Sequence, residues 1–251
     1  MANERYAEYI EETPKSFVQG LFEESSTAKH PLGTTRRLSD GREFIYCKMG
    51  AANAVAGSVY QGRVPVIANE ANMAVTVAGT IGDRSIAFTM GDSTLANTAN
   101  ALAEGFVWVS TGAGNGHCYK VKNHAAIAAN AGGTLYLYDK LRANIATATS
   151  KISIVPNPCS GVIQAVANVT AVPVGVATFI VTTAYYAWLQ KTGPCAVETD
   201  GTVVAGDTVI CSAAAAGTVQ PAANGTEMYF QVGKCIANNA NDHWSLIDLA
   251  M

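Results

Sequence analysis

Four histidines are the first candidates for acid–base or nucleophilic chemistry: His30, His117, His124 and His243. None has a carboxylate or nucleophile beside it in the sequence, and the chain contains neither a GxSxG nor an HExxH motif. Asp and Glu are few and scattered in the body of the chain, so a glycosidase pair could arise only through the tertiary fold. We therefore predict no catalytic residue and a non-enzymatic protein; a triad assembled from distant residues stays open at this point.

The cysteines are the second possible source of chemistry. They are widely spaced, without a CxxC pair: Cys47, Cys118, Cys159, Cys195, Cys211 and Cys235. His117 directly precedes Cys118, but neighbouring residues of a strand point to opposite faces and make a poor chelate. We expect no metal site and no cofactor, and we expect most of these cysteines to be small buried hydrophobic residues.

A glycine-rich run at Gly112-Ala113-Gly114-Asn115-Gly116 suggests a phosphate-binding loop. Such a loop needs a helix N-terminus after it, whereas a strand pattern begins at His117. We therefore predict a flexible β-hairpin loop.

Three tryptophans, Trp108, Trp188 and Trp244, are candidates for a platform that stacks on sugar rings. Each lies in a strand with alternating polarity. Burial in the core is the favoured interpretation, and the sugar platform is the alternative.

The charge distribution excludes other classes of partner. Net charge is −3 and the pI is near 5.8, and no body strand supplies the clustered Lys and Arg that phosphate binding needs, so we expect no nucleic-acid partner. Residues 1–12 are acidic and polar, and no apolar run spans a bilayer, so we expect no signal peptide, no membrane partner and synthesis in a cytoplasm. Only 14% of the chain is charged, which fits a body whose surface is covered by copies or partners.

The elements that must position any site are predicted to be mainly β: antiparallel sandwich or barrel modules with an extended N-terminal arm. Asp40-Gly41 is a hairpin signal followed by alternating Phe44, Tyr46 and Lys48. Further short runs are rich in β-branched and aromatic residues and end in Gly, Asn or Asp. They lie at 73–78, 84–89, 106–110, 118–122, 134–138, 151–155, 162–166, 177–190, 208–212, 217–220, 228–237 and 244–249.

Three domains are predicted from changes in the sequence pattern and from prolines that interrupt it. Residues 1–30 form the arm, with a short amphipathic helix around Tyr6 and Ile10 that Pro14 ends. Residues 31–156 form a β-rich domain and residues 157–251 a C-terminal β-barrel or sandwich, with Pro156 and Pro158 at the boundary.

Two local departures from regular strands are expected. A helix over 92–104 fits a cap at Asp92 or Ser93 and a left-handed Gly105 at its end, with an irregular loop as the alternative. The run 177–190 is too long for an ordinary strand, which predicts a bend or bulge at 182–184.

Two stretches resemble the head-decoration, or cement, proteins of tailed, cyanophage-like bacteriophages. One runs from His30-Pro31-Leu32-Gly33-Thr34 through Asp40-Gly41-Arg42-Glu43-Phe44-Ile45-Tyr46. The other is Tyr186-Ala187-Trp188-Leu189-Gln190-Lys191-Thr192-Gly193, with the later turns at Gly206-Asp207, Ala216-Gly217 and Val232-Gly233-Lys234. Ala187 departs from the pattern, where Gly is expected, and so do the six cysteines.

This resemblance implies a structural virion protein on the capsid exterior that cements neighbouring major capsid proteins, as a homotrimer. The mechanism is then purely associative, because many modest contacts add up when one copy touches several subunits. The alternatives are a tail, fibre or baseplate protein, although no heptads or repeats appear, and a carbohydrate-binding module, which needs exposed aromatic residues on one face.

Overall fold

A computed structural model describes residues 18–66, 70–91, 97–166, 169–222, 230–239 and 243–251. The predicted helix around Tyr6 lies outside these residues. Within them the chain forms sixteen strands: β1 Thr35–Arg37, β2 Glu43–Met49, β3 Val59–Gln61, β4 Met73–Ala74, β5 Ser85–Thr89, β6 Phe106–Thr111, β7 Cys118–His124, β8 Gly132–Leu137, β9 Lys151–Val155, β10 Ser160–Gln164, β11 Pro173–Val176, β12 Tyr186–Glu198, β13 Thr208–Cys211, β14 Val219–Pro221, β15 Gln231–Ala237 and β16 Trp244–Ala250. The mainly β, largely antiparallel barrel class is confirmed.

Two compact units divide the chain, and one is discontinuous. Unit 1 comprises the residues up to Val64 together with Pro158–Met251, and unit 2 is Pro65–Asn157. The chain returns from unit 2 to unit 1 between Asn157 and Pro158, next to the predicted boundary at residue 156. The prediction that 31–156 form one domain is wrong, because β2 and β3 pair with strands of the C-terminal segment rather than with unit 2. Such pairing joins residues far apart in sequence, which local patterns do not report.

Unit 1 contains two barrel-like rings that share the long strand β12. Strands β2, β10, β3, β11 and β12 close the first ring, because β2 pairs with both β10 and β12. Strands β12, β16, β15, β13 and β14 form the second, and a bridge from Val219 to Thr199 brings β14 back to the end of β12. Strand β12 belongs to both rings because its residues 186–192 pair with β2 and its residues 192–198 pair with β16.

Each ring of unit 1 has its own apolar core. The first is filled by Cys47, Met49, Tyr60, Val162, Ala187 and Leu189 among others. The second is filled by Cys195, Val197, Val209, Val232 and Ile247 among others. A third cluster packs on the first ring and consists of Leu21, Leu38, Phe44, Tyr46 and Trp188. Leu21 joins residues 18–30 to this cluster, so the described part of the predicted arm belongs to unit 1.

Unit 2 is a six-stranded sheet in the order β4-β9-β6-β7-β8-β5. A bridge between Val75 and Phe88 joins β4 to β5 and closes it into a barrel. Alternation places Val107, Val109, Tyr119 and Val121 among the buried residues of its core. The intervening residues of the same strands therefore point outward.

Local predictions had mixed outcomes. The hairpin at Asp40-Gly41 is confirmed: β1 and β2 pair across residues 38–42, and Gly41 has a φ of 90°. The bend at 182–184 is also confirmed, because Ala184 has a φ of 61° and β12 begins only at Tyr186.

The helix over 92–104 is not found in its described part, 97–104, while 92–96 lie outside the described residues. Asn97 forms a bridge with Ile127 and the following residues form turns. The left-handed residue is Glu104, with a φ of 60°, rather than Gly105. Gly105 is needed for a different reason, since a Cβ there would lie 2.3 Å from the Val155 carbonyl oxygen.

Candidate functional site

The buried histidine of unit 2 has a structural role. The Nε2 of His124 accepts a hydrogen bond from the Leu102 N–H at 3.0 Å, and its Nδ1 lies 2.6 Å from the Ala125 carbonyl oxygen. These contacts require the neutral ring with the proton on Nδ1, because the Leu102 N–H needs an acceptor. His124 therefore holds a turn to β7 and has no nitrogen left for catalysis.

Two of the other histidines pack against aromatic rings. His30 packs against the rings of Tyr46 and Trp188, with both centroids 5.2 Å away, and burial together with the Arg36 charge lowers its pKa. His117 stacks on Tyr119 at 6.3 Å. No group of three His, Cys, Asp or Glu side chains suited to a metal occurs in the described part of the chain.

Five of the six cysteines are buried, as predicted, and Cys118 is exposed. Burial raises the pKa of Cys195 to about 12 and the pKa of Cys211 to about 11. These thiols stay protonated at neutral pH, which makes them poor nucleophiles and poor metal ligands. They act as small core residues.

The glycine-rich loop is the predicted hairpin loop between β6 and β7. Gly112, Gly114 and Gly116 all have φ near 80°, and the Gly116 N–H donates to the Val109 carbonyl at 2.9 Å. Because β7 follows at Cys118, this loop has no helix N-terminus for a phosphate.

The tryptophans depart from the prediction of burial. Trp188 is fully buried, but Trp108 and Trp244 are 37% and 49% exposed. Both lie on the outward side of alternating strands. Alternation predicts that one side of each strand is buried. The prediction of burial assumed that a large aromatic residue lies on that side, but Trp108 and Trp244 lie on the opposite one.

Residues 18–30 are fastened to unit 1 through one buried side chain. The Gln19 Nε2 donates to the carbonyls of Glu23 and Tyr186 at 2.7 and 2.9 Å, and the Tyr46 hydroxyl donates to its Oε1 at 2.7 Å. The indole N–H of Trp188 donates to the Gln19 carbonyl at 3.3 Å. This network fixes Gln19 against β2 and β12 of the first ring.

An exposed apolar surface lies on unit 1. We call it the Trp244 surface, and it comprises Phe22, Pro194, Ile236, Trp244 and Leu246. Phe22 is 61% exposed, and Phe22, Pro194 and Trp244 line one depression of about 340 Å³. Leu246 lies opposite Ala196 of β12 in the strand pairing, next to Trp244 along the outward side of β16.

Trp244 is held in place within this surface. Its indole N–H donates to the Ala56 carbonyl at 3.4 Å, and the ring covers Gly57, where a Cβ would lie 2.1 Å from Nε1. Gly57 also has a φ of 80°. A rigid, half-exposed aromatic residue is the kind of anchor that stabilises protein interfaces.

A second exposed surface lies on unit 2, on the outward side of β6, β7 and β8 and at Tyr138, which directly follows β8. We call it the Lys120 face, and it comprises Phe106, Trp108, Lys120, Lys122, Tyr136 and Tyr138. Sequence reasoning missed it by finding no cluster of basic residues on the body strands. The signal was the alternation in Cys118-Tyr119-Lys120-Val121-Lys122, which directs both lysines outward when Tyr119 and Val121 are buried.

No family model, curated protein or solved structure matches this chain. Among the described residues, no helix is long and apolar enough to cross a membrane. The Trp244 surface and the Lys120 face are therefore the candidate functional sites of this protein.

Proposed function

We propose that this protein is a structural virion protein that binds the outer surface of a capsid shell and cements neighbouring major capsid proteins, as a homotrimer. The observation that carries the proposal is the Trp244 surface, an anchored and partly exposed aromatic residue with apolar neighbours on a sparsely charged chain. Burial of such a surface in an assembly is favourable by about 25 cal/mol per Å² of apolar area.

The sequence resemblance is consistent with this proposal at the level of the fold. The two stretches that carry it include β2 and the first half of β12, and these strands pair in register, with Tyr46 opposite Trp188. Residues distant in sequence thus form one structural element, which the resemblance alone did not imply.

The proposed mechanism needs only association. Each copy would contact several subunits, so a modest free energy at each contact yields stable binding. The Trp244 surface would serve as the apolar centre of these contacts.

The test measures mass and shell binding together. Light scattering on the purified chain should give a trimer, and the chain should sediment with shells assembled from the major capsid protein of the same virus in a fixed ratio. Trp244→Ser with Leu246→Ser should weaken trimer formation or shell binding by at least about tenfold. The matched control is Val77→Ser with Ile81→Ser, which alters two exposed apolar residues of unit 2.

The control variant should behave as the unaltered chain. A monomer that does not sediment with the shells would contradict the proposal. So would shell-bound trimers that are equally stable in both variants.

A further inference from the structure

We propose that the Lys120 face of unit 2 binds an acidic polysaccharide. This activity is separate from capsid binding and rests on different residues in a different unit.

The centre of the face is a row of alternating aromatic and cationic side chains. Phe106 of β6 lies opposite Lys120 of β7 in the strand pairing, and the Tyr138 N–H donates to the Lys120 carbonyl at 3.0 Å from the other side. The Lys120 Nζ lies 5.7 Å from the centre of the Tyr138 ring. Because neighbouring strands are about 4.8 Å apart, the two rings flank the lysine across roughly 10 Å.

A second aromatic position and a second cationic position adjoin this row. Trp108 lies two residues beyond Phe106 on the same side of β6, with its ring partly exposed. On the far side, Arg84, Lys122 and Tyr136 line a depression of about 430 Å³. The depression therefore places two cations beside an exposed ring.

The positive charge of this face is available to a ligand. In the described part of the chain, no carboxylate forms an ion pair with Lys120 or Lys122. The nearest acidic residue along the chain from Arg84 is Asp83, and its carboxylate accepts hydrogen bonds from the Thr80 N–H and hydroxyl at 2.7 and 3.0 Å. Arg84 donates to the Tyr138 carbonyl, which holds its guanidinium at the edge of the face.

This combination selects the class of ligand. The apolar faces of sugar rings stack on aromatic side chains, and the carboxylates of an acidic sugar match Lys and Arg. A neutral glycan would leave the cations without a partner. A single-stranded nucleic acid also stacks on aromatic residues, but it needs a continuous positive groove along its backbone, and this chain has a net charge of −3.

The experiment is affinity electrophoresis of the full chain in gels that contain alginate, a polyuronate, or dextran, a neutral polysaccharide. We expect retardation by alginate alone, with the alginate affinity falling about tenfold in Trp108→Ala and in the double variant Lys120→Gln with Lys122→Gln. Matched controls are Phe230→Ala and Lys234→Gln, which change an exposed aromatic residue and an exposed lysine of unit 1 and should leave retardation unchanged.

Several results would overturn the proposal. They are no retardation by alginate, equal retardation by dextran and alginate, and a loss of alginate affinity in the unit 1 controls as large as that in the unit 2 variants. Titration with oligo(dT) adds one more, since tighter binding of oligo(dT) than of alginate would assign the face to nucleic acid. Circular dichroism shows whether each variant is folded. If the double variant is unfolded, the single variant Lys122→Gln, at an exposed position, takes its place in the test.

Discussion

Replacing Gln19 with Ala should destabilise unit 1 by about 3 kcal/mol. The substitution removes three side-chain hydrogen bonds of 2.7, 2.9 and 2.7 Å at a residue only 3% exposed. Each contributes about 1 kcal/mol net, and more where a buried partner is left unsatisfied. Tyr46 is spared part of this cost because its hydroxyl still accepts from the Lys29 N–H at 3.1 Å.

Urea denaturation followed by the fluorescence of Trp188 measures this change. Trp188 is buried beside Gln19, and Trp108→Phe with Trp244→Phe makes it the only tryptophan, so the transition observed is that of unit 1. With a slope of about 2–3 kcal/mol per M, the midpoint should fall by about 1 M.

Two further variants define the outcome. Gln19→Glu keeps the shape but places a carboxylate against the carbonyls of Glu23 and Tyr186, so it should cost at least as much as Gln19→Ala. Gln231→Ala at an exposed position should change stability by less than about 0.5 kcal/mol. A loss under about 1 kcal/mol for Gln19→Ala would refute the conclusion that this side chain fastens residues 18–30.

Three other changes test the structure elsewhere. His124→Ala should destabilise unit 2 by about 2 kcal/mol, measured by urea denaturation with Trp108 as reporter, because the Leu102 N–H loses its acceptor; an unchanged midpoint would contradict this. Unit 1 should lose stability as pH rises above 9, because an unfolded Cys195 thiol ionises near its usual pKa of 9.0 while the folded thiol, with a pKa of about 12, keeps its proton. Denaturation between pH 9 and 11 should show that Cys195→Ala lowers this slope by about 1.4 kcal/mol per pH unit, and an unaltered slope would disprove the assignment. Gly57→Ala should cost about 2 kcal/mol or more and shift the emission of Trp244 to longer wavelength, since a Cβ would displace its ring; an unshifted spectrum would count against that contact.

The sequence predicted the strands of this protein better than their arrangement. Alternation at 106–110 and 118–122 identified β6 and β7, because one side of each strand is buried and a two-residue period follows directly. The pairing of β2 with β12 was not predicted, since it depends on packing between residues about 140 positions apart. The helix over 92–104 was wrong in its described part because Leu102 is a core residue of a turn, and its spacing from Leu95 imitates a helical period.

The candidate surfaces were predictable only in part. The sequence has no catalytic motif and predicted a protein that works by association, but the exposure of Trp108 and Trp244 depends on which side of each strand faces a core, and the sequence does not specify that side. The Lys120 face joins residues from three strands through their register, and no local pattern contains that register.

The discontinuity of unit 1 also sets the order in which the chain can fold on the ribosome. Strands β1, β2 and β3 leave the ribosome first, but β12, which pairs with β2, follows more than a hundred residues later. At roughly 5 to 20 residues per second, about 1.5 to 6 s separate the completion of unit 2 at Asn157 from the synthesis of Tyr186, where β12 begins. During that interval the first ring lacks β12, so Phe44 and Tyr46 of β2, which are fully buried in the folded chain, stay accessible to nascent-chain chaperones.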